Sequence, residues 1–222
     1  MRSVMGWDNA DVTRSEIETK ELQIEGTNGS IPLRIYTPSS LEGLLPVVVF
    51  FHGGGFIGGT VDVVENPCKA LAEKAVAVVV NVDYRLAPEH PFPAGLTDCF
   101  ETVEWVYKYA EKIRGDRSRI AVSGDSAGGN LETVYALMDR DRGSGMIKYQ
   151  ALIYPTVNMA RVETDDFRWN VEEYAVKRHY NLIIPGLRRM AEGPNVLCEI
   201  YLQGNAKATD PRVGFNAIFE CL

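Results

Sequence analysis

One short segment of the sequence carries the residue types that a nucleophilic hydrolase needs. Residues 124–128 read Gly-Asp-Ser-Ala-Gly, a G-x-S-x-G pattern between a predicted strand and a predicted helix. In so sharp a turn the residues two before and two after the serine crowd each other, which explains glycine at Gly124 and Gly128. The turn exposes the Ser126 hydroxyl at the positive end of the helix, where a developing oxyanion is stabilised. The segment therefore predicts Ser126 as a nucleophile and the backbone N–H of Ala127 as an oxyanion donor.

A glycine-rich loop is the second candidate element. Residues 52–56 read His-Gly-Gly-Gly-Phe and follow a predicted strand at 46–51. Consecutive glycines let the backbone turn freely and present N–H groups that no side chain obstructs. Loops of this type supply the remaining oxyanion donors in esterases. The chain between the two segments is long enough for one strand–helix unit and a further helix and strand.

The elements that must position these segments alternate between strand and helix. Segments 21–24 and 31–36 flank Asn28-Gly29 and predict an antiparallel hairpin. Apolar runs predict further strands at 46–51, 75–82, 119–123 and 147–154. Apolar residues at helical spacing predict helices at about 67–74, 96–113 and 131–138. This alternation predicts an α/β fold with a doubly wound, mostly parallel sheet.

The composition limits the expected partners and cofactors. Thirty acidic and 23 basic side chains give a net charge of −7, which disfavours nucleic acid and anionic membranes. The longest apolar run, 44–51, is far shorter than the ~20 residues of a membrane span. No two histidines have metal-ligand spacing, so we expect neither a metal nor another cofactor. The four cysteines form no CxxC pair, which indicates reduced thiols and a cytoplasmic protein.

A third segment completes a family resemblance. Residues 83–94 read DYRLAPEHPFPA. Together with HGGGF and GDSAGGN, in this chain order, they resemble the hormone-sensitive-lipase-like family of α/β-hydrolases, of the bacterial acetyl esterase and carboxylesterase type. The resemblance extends from about residue 31 to residue 213. It implies an α/β-hydrolase sheet and a serine carboxylic-ester hydrolase that acts on small acyl esters through an acyl-enzyme.

The resemblance also implies roles for individual residues. Ser126 would be the nucleophile, and Gly54, Gly55 and Ala127 would form the oxyanion hole. The substrate would be a small-molecule ester. The other residues of the two segments would shape or brace the turns: His52, Gly53, Gly124 and Gly128.

The catalytic acid and base are not identified in this sequence. The family order is Ser, then Asp, then His, in downstream segments resembling DPLRDEG and HGF that do not occur here. The three histidines, His52, His90 and His179, lie outside that position. We interpret Asp98 and Asp125 as structural, with the Asp125 side chain pointing away from the site. Because loss of a triad histidine can lower turnover by about 10⁶, the chain is expected to be a weak or inactive esterase.

The last third of the chain gives three further expectations. Segment 158–200 is expected to form a partial helical cap within one domain of residues 1–222. The family pattern stops near residue 214, so the last strands and the C-terminal catalytic part are expected to be missing, as in a truncated member. Strand 147–154 would then be an open, apolar sheet edge, which predicts self-association.

Two other functions are compatible with parts of the sequence. A hydrolase-like pocket without a catalytic histidine can bind a small ligand and not convert it, as in the plant gibberellin receptors, which resemble the same family. Gly53-x-Gly55-x-x-Gly58, with Asp83 after the next strand, also matches the NAD-binding fingerprint of a Rossmann fold. The β-branched run at 60–64 disfavours that interpretation, because a phosphate-binding helix should begin there.

Overall fold

The computed structural model describes residues 10–163 and 168–214, and six strands of these residues form one sheet. The strands are β1 (Ile17–Gly26), β2 (Gly29–Pro38), β3 (Leu45–Phe51), β4 (Val78–Val82), β5 (Gly115–Asp125) and β6 (Ile147–Ile153). Their order across the sheet is β1-β2-β4-β3-β5-β6. β1 and β2 form an antiparallel hairpin, β2 pairs antiparallel with β4, and β4, β3, β5 and β6 run parallel. The predicted mostly parallel sheet is confirmed.

Helices cover both faces of the sheet, as expected for a doubly wound fold. The α-helices of the described residues are α1 (Glu65–Ala75), α2 (Ala94–Tyr109), α3 (Ala127–Arg142), α4 (Tyr180–Glu192) and α5 (Val196–Leu202). Because side chains alternate along a strand, Val47 and Val49 of β3 lie in the core shared with α2 and α3. Val48 and Phe50 lie in the smaller core beneath α1. The continuous apolar run of β3 is therefore explained by burial on both faces.

The hairpin turn differs by one residue from its prediction. Gly26 and Gly29 form the last pair of the ladder, so the two-residue loop is Thr27-Asn28 and not Asn28-Gly29. Glu101 on α2 accepts a hydrogen bond from the Thr27 N–H at 2.9 Å. A Cβ at Gly26 would lie 2.6 Å from the same carboxylate. The turn contacts α2 at this shifted position, and the local sequence of the turn does not reveal that contact.

Strands β4 and β5 also begin at other residues than expected. Helix α1 continues to Ala75 and is capped by Val76, whose φ of 52° is left-handed, so β4 begins only at Val78. β5 begins at Gly115 because Gly115 pairs with Leu45 before an irregularity in the ladder. No helix of the described residues is long and apolar enough to cross a membrane.

Candidate active site

The two glycine-containing segments leave the sheet side by side. β3 and β5 are adjacent and parallel, and Phe51 at the end of β3 is in register with Gly124 near the end of β5. The loop at 52–56 and the turn at 124–128 therefore start at the same carboxyl edge, where α/β proteins place their sites. The backbone N–H of Gly53 donates a hydrogen bond to Asp125 Oδ1 at 2.8 Å. The loop and the turn are thus in direct contact.

Ser126 has a strained backbone conformation at the tip of the turn. Its φ of 54° and ψ of −111° are unusual for a residue with a side chain. Its N–H donates to the Ile153 carbonyl at 3.0 Å, and its own carbonyl accepts from the N–H groups of Asn130 at 3.1 Å and Thr156 at 3.0 Å. These three bonds hold the strained residue in place immediately before α3. The Ser126 side chain stays half-buried and accessible.

The turn packs so closely on β3 that only glycine fits two residues before Ser126 and two residues after it. A Cβ at Gly124 would lie 2.6 Å from both the Phe51 carbonyl oxygen and the Gly128 carbonyl carbon. A Cβ at Gly128 would clash with the Phe51 carbonyl oxygen and lie 2.8 Å from that of His52. Both obstacles are backbone atoms, which cannot move aside as a flexible side chain can.

The carbonyl groups of the glycine loop are held in fixed directions. His52 Nδ1 lies 2.8 Å from the Gly53 carbonyl oxygen. The Gly54 carbonyl accepts hydrogen bonds from the N–H groups of Ile57 at 3.2 Å and Gly58 at 2.9 Å. In a trans peptide the C=O and the following N–H point in opposite directions, so these bonds also orient the N–H groups of Gly54 and Gly55. The backbone of this loop is preorganised, as an oxyanion hole requires.

His52 is buried and contacts the backbone of this loop. Its ring stacks on Tyr84 with centroids 4.4 Å apart, and the Tyr84 hydroxyl donates to the His52 carbonyl at 2.6 Å. Because the Gly53 carbonyl can only accept, Nδ1 carries the proton of the neutral ring. Nε2 is buried with no hydrogen-bond partner among the described residues. Burial lowers the pKa of His52, which keeps the ring neutral.

The two acidic residues interpreted as structural make different contacts. Asp98 forms an ion pair at 2.7 Å with Arg85, which belongs to neither of the two segments. Asp125 was expected to point away from the site, but its carboxylate accepts the Gly53 N–H and so contacts the glycine loop. Burial raises the pKa of Asp125, while the Gly53 N–H and nearby His52 favour its charged form. The expectation for Asp125 is corrected: its carboxylate links the turn to the loop.

The surroundings of the Ser126 hydroxyl contain a residue that the sequence analysis missed. Ser126 Oγ lies 3.4 Å from the hydroxyl oxygen of Thr156. Among the described residues no histidine is hydrogen-bonded to Ser126 Oγ, since His52 is engaged with Gly53 and His90 and His179 are exposed. Thr156 follows the carboxyl end of β6, which lies at the same edge as the other two segments. That position in a parallel sheet was the signal that could have identified it.

Helix α5 contacts the glycine loop from the other side. Leu197 Cδ1 lies 2.9 Å from the position that a Cβ of Gly55 would take. The Tyr201 ring stacks on Phe56 with centroids 3.9 Å apart. The loop is therefore packed between the sheet edge and an apolar helix surface. Within residues 10–163 and 168–214, no group of three His, Cys, Asp or Glu residues is arranged to hold a metal.

A buried carboxyl group on α3 was also missed. Glu132 is fully buried, and its carboxyl oxygens lie near the backbone of Gly124 and Ala151 without a well-formed hydrogen bond in the described part of the chain. Burial raises the pKa of Glu132 to about 9, and the backbone of Gly124 and Ala151, which favours the charged form, offsets only part of that effect. Glu132 is thus protonated at neutral pH, beneath the turn that carries Ser126.

The structure contradicts the NAD-binding interpretation of the glycine loop. A dinucleotide fingerprint requires a helix to begin at the end of the glycine sequence. Instead, the Gly58 N–H donates back to the Gly54 carbonyl, and α1 begins only at Glu65.

Comparison with known proteins agrees with this geometry. A family model described as the alpha/beta hydrolase fold matches residues 48–217. Carboxylesterase NlhH of Mycobacterium tuberculosis is 45% identical over 156 residues, which are 70% of this chain and 48% of that protein. Esterase LipI of the same organism is 44% identical over 143 residues, 64% of this chain and 45% of that protein. The chain thus spans about half the length of the curated relatives it matches.

Solved structures of esterases are also similar to this chain. A hyperthermophilic esterase from the archaeon Pyrobaculum calidifontis superposes with a TM-score of 0.75 at 39% identity, over 89% of this chain and 61% of that chain. The thermostable carboxylesterase EstE1, cloned from a metagenomic library, superposes with a TM-score of 0.73 at 36% identity, over 91% and 65% of the two chains. Each neighbour is a longer chain that contains the fold described above.

Proposed function

This chain belongs to the hormone-sensitive-lipase-like family of α/β-hydrolases, and we propose that it is a carboxylic-ester hydrolase with Ser126 as its nucleophile. The observation that carries the proposal is the contact between the two segments: the Gly53 N–H donates to the carboxylate of Asp125, the residue before Ser126, at 2.8 Å. This contact joins the glycine loop to the turn that carries the strained, accessible Ser126, which supports the proposed oxyanion hole. The proposed substrates are small acyl esters, and the naming of two relatives as a carboxylesterase and an esterase supports ester hydrolysis.

The proposed reaction proceeds through an acyl-enzyme. Ser126 Oγ attacks the ester carbonyl carbon, a C–O bond forms, and the carbonyl oxygen takes the negative charge. The N–H groups of Gly54, Gly55 and Ala127 would stabilise that oxyanion. The bond to the alcohol then breaks, the alcohol leaves with a proton, and water hydrolyses the acyl-enzyme. Donors that are fixed beforehand stabilise the charge without reorganising during the reaction.

The 222-residue chain, tested by itself, is proposed to carry out this reaction slowly. The hydrogen-bond partner of Ser126 Oγ among the described residues is the Thr156 hydroxyl, which is not a base. An oxyanion hole and substrate binding alone still leave roughly 10³- to 10⁴-fold catalysis over water. We therefore propose weak, Ser126-dependent hydrolysis.

Hydrolysis of p-nitrophenyl acetate tests this proposal. We expect a slow release of p-nitrophenol that falls to the background rate in Ser126→Ala. Ser30→Ala, at an exposed position of the hairpin, is the matched control and should retain the rate. A rate that survives Ser126→Ala contradicts the nucleophile. A Ser126-dependent turnover in the ordinary enzyme range of about 1–10³ s⁻¹ contradicts weak activity.

A small-molecule-binding protein without catalysis is the second candidate. The absence of a histidine at Ser126 Oγ within the described residues favours it. Stoichiometric, reversible binding of an ester or its acid, without covalent labelling of Ser126, would support this candidate over a hydrolase.

We also propose self-association through the open edge of β6. β6 is the last strand of the described sheet, and its segment exposes apolar side chains such as Tyr149, which is 77% exposed. Leu152 and Tyr154 are exposed next to it. An edge of this kind offers unpaired backbone groups and apolar surface to a second copy of the chain.

Light scattering over a range of concentrations tests the association. We expect the mass to rise with concentration, and Tyr149→Lys to shift the chain towards the monomer because a charge is added to the edge. Leu182→Lys is the matched control: Leu182 is 76% exposed but lies on α4. A monomer at every concentration for the unmodified chain would refute this proposal.

The cap, the partners and the location follow as parts of the same proposal. Segment 158–200, which contains α4 and most of α5, is proposed to act as the cap over the substrate.

The net charge of −7 supports a small-molecule partner and neither nucleic acid nor an anionic membrane. Three described cysteines, Cys68, Cys99 and Cys198, are buried and unpaired, which supports a cytoplasmic location.

A further inference from the structure

Thr156 is held against the nucleophile by its backbone. Its N–H donates to the Ser126 carbonyl at 3.0 Å. Its own carbonyl accepts from Asn130 Nδ2 at 2.7 Å. The same amide group donates to the Val213 carbonyl at 2.9 Å, so Asn130 ties Thr156 to both α3 and residue 213. The main chain of Thr156 is therefore fixed at both ends by residues of the nucleophile turn and its helix.

This arrangement presents the Thr156 side chain to Ser126. The two hydroxyl oxygens are 3.4 Å apart, and both side chains are half-buried, so that substrate and solvent can still reach them. A hydroxyl both donates and accepts hydrogen bonds, but it does not take up a proton at neutral pH. Contact with Thr156 can therefore orient the Ser126 hydroxyl and cannot deprotonate it.

We propose that Thr156 is a positioning residue whose hydroxyl accepts a hydrogen bond from Ser126 and thereby directs a lone pair of Ser126 Oγ towards the substrate. The inference rests on the proposed function of Ser126 as a nucleophile. A free serine side chain has three staggered rotamers, and a partner at one of them raises the population of the reactive orientation. Preorganisation of this kind affects the covalent step more than binding.

The backbone contacts allow the hydroxyl to be removed without disturbing the fold. Thr156→Val has the same shape and keeps the N–H and C=O that bond to Ser126 and Asn130. Thr156→Ser keeps the hydroxyl and loses only a methyl group. A role in packing alone predicts that the serine variant is the more damaged, whereas a role of the hydroxyl predicts the opposite order.

Inactivation by an alkyl fluorophosphonate measures the effect on Ser126 directly. In this reaction the Oγ–P bond forms, the P–F bond breaks, fluoride leaves and the serine proton passes to water. We expect the limiting inactivation rate of Thr156→Val to fall about three- to tenfold, the equivalent of one hydrogen bond, with half-saturating reagent concentration little changed. Thr156→Ser should recover most of the rate. Thr19→Val, an exposed threonine on β1, should react like the unmodified chain.

Each outcome decides one proposition. If the unmodified chain is not labelled, the proposed function fails and this inference fails with it. If the chain is labelled and Thr156→Val reacts at the same rate, only the positioning role fails. A serine variant as slow as the valine variant, or slower, assigns the effect to packing and also overturns it. Thermal midpoints within a few degrees of each other verify that all variants are folded.

Discussion

Replacing Gly128 with alanine is expected to be among the most destabilising single substitutions in this chain. The added Cβ would clash with the Phe51 carbonyl oxygen and lie 2.6 Å from the Phe51 carbonyl carbon and 2.8 Å from the His52 carbonyl oxygen. All three are backbone atoms, so α3 would have to move away from β3. Overpacking of a core commonly costs 1–3 kcal/mol. Because the obstacle here is backbone, we expect about 3 kcal/mol or more.

Gly186→Ala makes the same glycine-to-alanine change at a position where the added Cβ has open space around it. Gly186 lies within α4, and nothing occupies the space of its Cβ within 4 Å. Alanine there should stabilise the helix by up to about 1 kcal/mol. Denaturant unfolding of both variants measures the difference. If Gly128→Ala is as stable as the unmodified chain, the close packing of the turn on β3 is wrong.

The second large effect concerns the buried carboxyl group of Glu132. Burial raises the pKa of Glu132 to about 9 in the folded protein, whereas an unfolded glutamate titrates near 4.3. Between these values the folded state binds one proton that the unfolded state has lost. The Glu132 contribution therefore lowers the free energy of unfolding as the pH rises, by about 1.4 kcal/mol per pH unit, until the folded pKa is passed. Below the unfolded pKa both states are protonated, and the contribution vanishes.

Glu132→Gln should remove this contribution and keep the shape of the side chain. We expect the variant to match the unmodified chain near pH 4 and to be more stable near pH 7.5, by roughly 4 kcal/mol. Asp83 and Asp125, whose pKa values burial also raises, add slopes of the same sign in both proteins, so the difference isolates Glu132. Glu18→Gln, at an exposed position of β1, controls for the substitution itself. An unchanged pH dependence in Glu132→Gln would show that Glu132 is not protonated in the fold.

The sheet could be predicted from the sequence because its signals are local. The run that became β3 is apolar throughout, and the alternation of strands and helices fixes a mostly parallel sheet. The first and last residues of helices and strands were less predictable, because contacts with distant parts of the chain determine them. Val76 ends α1 in a left-handed conformation, which moves the start of β4 to Val78. Glu101, distant in sequence, binds the turn between β1 and β2.

The candidate site could be predicted only where a motif carries its own geometry. Gly124, Ser126 and Gly128 were singled out because their spacing describes a sharp turn, and the crowding on which that rests is present. The direction of the Asp125 carboxylate was mistaken, because it depends on the Gly53 N–H of a different segment. Thr156 has no motif at all. Its place beside Ser126 follows from the pairing of β5 and β6, which exists only in the folded sheet.

Mapping the covalent adduct of a fluorophosphonate by peptide mass spectrometry shows whether Ser126 is the nucleophile. We expect one phosphonyl group per chain, on the peptide that contains Ser126, and its disappearance in Ser126→Ala. Ser126 should be the reactive serine because the glycine loop, joined to its turn through Gly53 and Asp125, offers backbone donors to the charge that forms. A fully folded chain that takes up no label, or takes it up at a residue other than Ser126, would refute Ser126 as the nucleophile.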